Sequence, residues 1–301
     1  MKRIFVFFIL LLIPTMVFAD WVGQSDKRRY VTDTEKSEFP YNNVVKIVTN
    51  DSVSTGIIIA PQIILTSGHG VADVGLNNYI AYYTTDGQAH TGKVWYYKYS
   101  SAVTDDYALI LTNDIFSEPF FNIPNSNVTE SNAMRIGYDS LKVLSNDEIK
   151  VVKDTFVNFL SGYKLTAENA YDAMDEIDEL LKNKDCRKTS DKMNCVHCSG
   201  GNDCIFGDYD NLKVQESCSA NNFRSVDTGG KFLVTNCGAS VGGSGSPILD
   251  ASHKNIIGMS IGTTGFMIGN EKEATSYAIP PEQFNKQTKT LINMSNNGLL
   301  E

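Results

Sequence analysis

The chain is short of several things, and each shortage narrows what it can be. Cysteine is missing everywhere except one stretch, residues 186–237, which holds all six. Only four histidines occur in 301 residues, His69, His90, His197 and His253, so any imidazole chemistry has few candidates. Positive charge is not in excess: 26 Lys and Arg stand against 35 Asp and Glu, for a formal net charge of -9. That balance argues against nucleic acid or an anionic membrane as a partner, since both select basic surfaces. After the first 19 residues no apolar run is long enough to span a bilayer. No internal repeat and no low-complexity tract is present. With 42% hydrophobic and 20% charged residues, the composition is that of an ordinary globular protein with a sizeable core.

The N-terminal segment MKRIFVFFILLLIPTMVFAD has a basic start, a short apolar run, and small-residue positions at Val17 and Ala19. It reads as a signal peptide, residues 1–19, cleaved after Ala19. An uncleaved anchor fits less well, because the run is short and contains Pro14. The mature chain is therefore expected to be exported, secreted or periplasmic, with no stable membrane association. An even cysteine count in an exported chain points to disulfides, with Cys186, Cys195, Cys198, Cys204, Cys218 and Cys237 as the candidates.

Residues 44–48, 55–60 and 62–66 are rich in Ile and Val and punctuated by Gly and Pro, as strands are. Residues 79–83, 93–98, 107–111, 133–138 and 149–160 extend the pattern. Many short strands at close spacing predict an all-β barrel or sandwich. The texture changes at Thr166, where Tyr171, Met174, Ile177 and Leu181 recur at helical spacing to Lys182. A loop-rich block follows to Thr228, too poor in apolar residues to hold itself without cross-links. Strand texture returns in KFLVTN, SPILD and NIIGMSIG, and residues 281–293 read as a closing helix with Phe284, Leu291 and Ile292 on its apolar face.

Three short segments carry chemistry. His69 ends GIIIAPQIILTSGH, Asp105-Asp106 opens the apolar YALI, and Ser244 stands in GGSGSPI. Singly, each has an ordinary structural reading: a histidine after a strand, a solvated acid at a strand start, a glycine-rich turn. Their order, His then Asp then Ser, and their flanks carry the reading together. The chain resembles the chymotrypsin/trypsin-like serine proteases, and most the bacterial glutamyl-endopeptidase subgroup. LTSGHGVAD resembles the histidine motif, DYALI the aspartate motif and GGSGSPI the serine motif; Arg29 to Thr34 with Pro40-Tyr41 resembles the subgroup's N-terminal arm. The likeness spans most of residues 29–160 and 230–295.

The resemblance implies a chymotrypsin-like double β-barrel with a C-terminal helix and an inserted helical, disulfide-rich segment. The expected divisions are the signal peptide, residues 1–19; a first barrel and the start of the second, residues 20–164; the insert, residues 165–228; and the rest of the second barrel with its helix, residues 229–301. It implies a serine endopeptidase acting on a protein or peptide substrate, with Ser244 as nucleophile, His69 as general base and acid, and Asp106 as the group that orients it. Asp106 is chosen over Asp105 by the family pattern. Backbone N–H groups of Gly242 and Ser244 would form the oxyanion hole. No metal and no cofactor is required. Two departures stand out. The trypsin branch carries an aspartate before the nucleophile, which pairs with a new N-terminal amine; here that residue is Gly243. The subgroup's pocket histidine aligns with Ser260, so a preference for glutamate is not carried over, and Ala239, Ser260 and Gly262 suggest a small or neutral pocket.

Other readings stay open at this level. Cys195-Val196-His197-Cys198 has the spacing of a zinc site, although export and the even count favour disulfides. A bridge from Cys237, seven residues before Ser244, into the insert would tie that module to the wall of the site, where it could shape access or bind a protein partner. Lys27-Arg28-Arg29 is either a processing site or a solvated basic cluster. The alternative function is a catalytically weak protease homologue that binds a protein through the insert; an esterase using the same triad is a third. Oligomeric state is not legible.

Overall fold

The computed structural model describes residues 27–50, 52–99, 105–125, 129–139, 143, 196–198, 202–204, 208–224, 231–238, 242–263 and 276–300. The helix expected at 166–182 and the strand expected at 149–160 lie outside the described residues.

The chain enters with a two-residue strand, β1 (Arg29–Tyr30), and a one-turn helix, α1 (Asp33–Lys36). Thr32 caps that helix through a reciprocal box with Glu35. Six strands follow: β2 (Val44–Val48), β3 (Val53–Ala60), β4 (Ile63–Thr66), β5 (Tyr79–Tyr83), β6 (Ala89–Lys98) and β7 (Tyr107–Thr112). They close an antiparallel barrel in the order β2-β3-β4-β7-β6-β5.

The next elements are β8 (Glu130–Gly137), a small hairpin of β9 (Val196–Cys198) and β10 (Asn202–Cys204), then β11 (Lys213–Arg224), β12 (Lys231–Thr235), β13 (Pro247–Leu249), β14 (Ile256–Thr263) and β15 (Ser276–Ile279). Strands β8, β11, β12, β15, β14 and β13 form a second ring, closed because β8 pairs with both β11 and β13, with β1 added on the edge of β11. The fold is thus two six-stranded antiparallel barrels. Residues 213–224, read from sequence as the end of the cysteine-rich insert, are a strand of the second ring.

The alternation of side chains along β3, β4 and β7 explains why these strands read as unbroken apolar runs. Ile58, Ile64, Ala108 and Ile110 point with Val45 and Ile47 into the first barrel. Ile57, Ile59, Ile63, Leu65, Tyr107 and Leu109 point the other way, into a core shared with Met134, Ile136, Val214, Met259, Ile261 and Phe284. A strand buried on both faces has no polar face to show. The second barrel's interior is lined by Ala133, Ala220 and Ala278 with Leu233, Ile248, Ile257 and a disulfide.

The closing helix, α2 (Pro281–Asn296), begins as expected and runs three residues further. Pro281 sits in its first turn, where a missing N–H costs nothing. Phe284, Thr288, Leu291 and Ser295 form its buried stripe. Phe284 packs on Tyr107 with ring centroids 6.2 Å apart, and the Tyr107 hydroxyl donates to Gln287 Oε1 at 3.1 Å. The helix therefore braces the strand that begins beside Asp106. Among the described residues no helix is long and apolar enough to cross a membrane.

Candidate active site

His69 and Asp106 are brought together by strand register. Thr66, the last residue of β4, lies opposite Ala108 near the start of β7, so the residues just beyond these strand ends meet. Gly68 makes the approach possible: a Cβ there would stand 2.2 Å from the Lys98 carbonyl oxygen. Asp106 is almost fully buried, and both its oxygens are used. Oδ1 accepts the His69 backbone N–H at 2.8 Å, and Oδ2 faces His69 Nδ1 at 2.6 Å. Two contacts from one carboxylate fix both the backbone and the ring. With Nδ1 engaged, Nε2 is the nitrogen left for proton transfer. The His69 side chain keeps 33% of its surface, and the Tyr99 ring lies beside it at 6.0 Å between centroids.

Ser244 stands on a tight turn between Gly242 and Gly245, whose φ angles are +89° and +88°. Such angles are open to glycine and costly for other residues. At Gly245 space also demands glycine, since a Cβ would lie 2.0 Å from the Thr55 carbonyl oxygen. The turn is held from both barrels. On one side the Thr55 N–H donates to Ser244 O at 2.8 Å, and Thr55 Oγ1 donates to Gly242 O at 3.0 Å. On the other, Gly245 N–H donates to Ser260 O at 2.7 Å, and Ser260 N–H donates to Ser246 O at 2.9 Å. Thr66 Oγ1 in turn donates to Thr55 O at 2.7 Å. A short chain of bonds, Ser244 to Thr55 to Thr66, therefore joins the serine turn to the strand that ends three residues before His69.

No protein-family model matches the sequence, and no curated protein matches it. Solved structures do. A Glu endopeptidase in complex with MPD is similar over 90% of this chain and 99% of that chain, at 17% identity and a TM-score of 0.50. Rv3671c from M. tuberculosis H37Rv, in an inactive form, is similar over 83% of this chain and 86% of that chain, at 15% identity and a TM-score of 0.44. The fold is the chymotrypsin-like double β-barrel.

In that double barrel the remaining sequence-derived positions are distributed as follows. Ser260 is buried on β14 and contributes its backbone to the serine turn. Gly262, two residues on, is half-buried, and a Cβ there would meet nothing within 4 Å. Ala239 lies outside the described residues. Gly238 is backed by Gln215, whose Oε1 accepts the Gly238 N–H at 2.6 Å and would be 3.0 Å from a Cβ at that position.

Cys218 and Cys237 are disulfide-bonded inside the second barrel. The bridge runs from Cys237 to a residue of β11, so it braces the barrel wall leading to Gly238 rather than a separate module. Cys186 and Cys195 lie outside the described residues; Cys198 and Cys204 are on the β9–β10 hairpin.

The basic cluster at 27–29 is not uniformly solvated. Lys27 is exposed, but Arg28 is 3% exposed, and its Nη1 lies 3.5 Å from Asp139 Oδ2. Arg29 pairs with Glu35 at 2.8 Å and with Glu216 at 2.6 Å. Sequence reasoning did not find Thr55, Tyr99, Arg135 or Asp139. Arg135, at 1% exposure, forms a forked pair with Asp139 at 2.7 and 2.8 Å. Burial alone would raise the Asp139 carboxyl, but the charge and hydrogen bonds of Arg135, with Arg28 and Lys213 nearby, hold it well below the usual carboxylate range. The one signal available in the sequence was position: Arg135 lies within the apolar stretch of β8 and Asp139 two residues beyond its end, where charge has to be carried into a core.

Proposed function

We propose that the chain is an exported serine endopeptidase that cleaves peptide bonds through Ser244, His69 and Asp106. The observation that carries this reading is the 2.6 Å contact between His69 Nδ1 and Asp106 Oδ2, beside a serine turn hydrogen-bonded to the same barrel through Thr55. His69 Nε2 takes the Ser244 proton as the hydroxyl oxygen attacks the substrate carbonyl. Asp106 keeps the imidazole in the tautomer that leaves Nε2 free and stabilises the imidazolium once formed. The N–H groups of Gly242 and Ser244 meet the charge that develops on the carbonyl oxygen. His69 then protonates the leaving amine, and water repeats the sequence on the acyl-enzyme. The base, nucleophile and oxyanion donors are all groups of the chain itself. A small or neutral pocket formed by Ala239, Ser260 and Gly262 is part of this reading; among the described residues, Arg28 and Arg135, which reach Gly238, are buried against Asp139.

The test is cleavage of a peptide library by the purified, oxidised protein starting at Asp20, read by mass spectrometry beside Ser244→Ala. The expected result is cleavage after small or neutral residues that vanishes in the variant. Equal cleavage by both, or none by the folded parent, contradicts the reading.

A further inference from the structure

The nucleophile's turn has no side chain of its own with which to anchor itself. Gly242, Gly243 and Gly245 surround Ser244, and three glycines in a row of four make a backbone with many accessible states. Something else must choose among them, because an oxyanion hole works only if its N–H groups are aimed before the charge appears.

Arg135, from the far end of β8, reaches under this turn. Its Nη2 donates to the Gly243 carbonyl at 3.2 Å and to Ser246 Oγ at 3.1 Å. Its Nη1 donates to the Gly238 carbonyl at 2.7 Å. One planar guanidinium therefore grips the segment before, beside and after the serine. The contact to Gly243 has a directional consequence. In a trans peptide the C=O and N–H point in opposite directions. With the Gly243 oxygen drawn inward to Arg135, the N–H of Ser244 in the same peptide points away from the buried cluster. Within the turn the Gly243 carbonyl also accepts the Ser246 N–H at 3.1 Å. The preceding carbonyl, of Gly242, is taken by Thr55, so two successive peptides are held by side chains from outside the turn.

Arg135 is itself held. Asp139 binds it as a fork, Arg28 closes on the same carboxylate at 3.5 Å, and Lys213 Nζ donates to the Asp139 carbonyl at 2.8 Å. Arg28 is delivered by the N-terminal arm, whose strand β1 pairs Arg29 with Val214 and Tyr30 with Lys213. Gly137 keeps room for the assembly: a Cβ there would stand 2.0 Å from Ser246 Oγ.

We propose that Arg135 is a positioning residue that fixes the Gly243–Ser244 peptide with its N–H aimed into the oxyanion hole, and that Asp139 and Arg28 hold Arg135 in place. This rests on the endopeptidase reading above. It assigns to β8 and the N-terminal arm the anchoring that Gly243 cannot supply. It also gives Lys27-Arg28-Arg29 a role as an anchor in the mature chain, so that removal of Arg28 would weaken the site rather than create it.

Removing one partner from a buried charge cluster is strongly destabilising, whereas replacing the whole cluster with apolar residues is often tolerated. Two variants therefore test the idea: Arg135→Lys, which keeps the charge but loses the fork, and the triple Arg28→Met, Arg135→Met, Asp139→Leu, which removes the charges together. For each, kcat and KM on the best library peptide are measured with the affinity for a peptidyl boronic acid of the same sequence, on protein shown folded by circular dichroism. The expected result is a kcat lower by about 100-fold, the order seen when one oxyanion donor is lost, with KM within about twofold and boronate affinity falling in step with kcat. A role in stability alone would lower the unfolding temperature but leave kcat and boronate affinity at parent values in either folded variant; that result overturns the inference. If the parent itself neither cleaves peptide nor binds the boronate, the endopeptidase reading fails, and this inference falls with it.

Discussion

The two barrels share a topology and are held together differently. The first is filled by branched aliphatic side chains, with Val45, Ile47, Ile58, Ile64 and Ile110 meeting at its centre. The second has a small-residue interior with a disulfide through it, and an ionic cluster of Arg28, Arg135, Asp139 and Lys213 beneath the loop it presents. The difference follows what each must hold. His69 and Asp106 sit at the ends of two adjacent paired strands, so ordinary ladder register places them. Ser244 sits on a glycine turn between strands, so its position has to be fixed by contacts from outside.

That contrast can be broken at several points. The largest effect is expected at Asp106→Asn. The amide would offer a donor to Nδ1, force the proton onto Nε2 and leave His69 unable to act as base, for a loss in kcat of about 10⁴. The fold should survive, because an amide oxygen can still accept the His69 backbone N–H. Steady-state kinetics with circular dichroism checks both halves, and a loss of less than tenfold would put Asp106 outside the mechanism.

Next is the first barrel's reliance on volume. Ile64→Ala removes a fully buried side chain from a packed interior and should cost about 2–5 kcal/mol in urea unfolding. In the second barrel the matching change is Cys218→Ala with Cys237→Ala. Their bridge closes a loop of 19 residues, and its loss should cost about 3 kcal/mol. The sharper readout is local. Hydrogen exchange should speed up in β11 and β12 and leave β3 and β4 near parent values; equal acceleration in both barrels would show that the bridge does not act on the second alone.

The smallest effect concerns the N-terminal arm. Thr32→Ala removes a helix cap and should cost about 1 kcal/mol. Glu35 in the same box is pulled down to about 2 by its hydrogen bonds to Arg29 and Thr32. Its folded value lies below its ordinary 4.5, so its contribution is fully present above that pH and is lost as acid protonates it toward pH 2. Unfolding midpoints taken across that range should fall less steeply for Glu35→Gln than for the parent.

The same contrast decides what could be read from the sequence. The first barrel was legible because strands buried on both faces leave unbroken Ile and Val runs, as in GIIIA and IILT. His69, Asp106 and Ser244 were proposed from their order and flanks, and the closing helix was legible through its Pro start and apolar spacing. The second barrel was read less well, for a physical reason. Strand β11 reads KVQESCSANNFR, which has the look of a polar loop. Inside the fold, Lys213 spends its ammonium on the carbonyls of Asp139, Asp208 and Asn211, and Gln215 on Asn236 and Gly238. Burial pushes that lysine down to about 8. Arg28 was read only as part of a processing site or a solvated cluster, and Arg135 and Asp139 were overlooked, for the same reason: charged residues read as solvated until their partners are known. Thr55, small and polar in an apolar strand, gave no hint that it joins the two halves of the site.

The central claim is that Ser244 is a nucleophile activated by His69. The most direct measurement is labelling of the folded, oxidised protein with a fluorophosphonate, with the modified residue located by mass spectrometry in the parent, in Ser244→Ala and in His69→Ala. The account predicts a single adduct on Ser244 in the parent, none at that position in Ser244→Ala, and labelling slowed by orders of magnitude in His69→Ala. An unlabelled parent, or labelling of Ser244 at the same rate without His69, would contradict it.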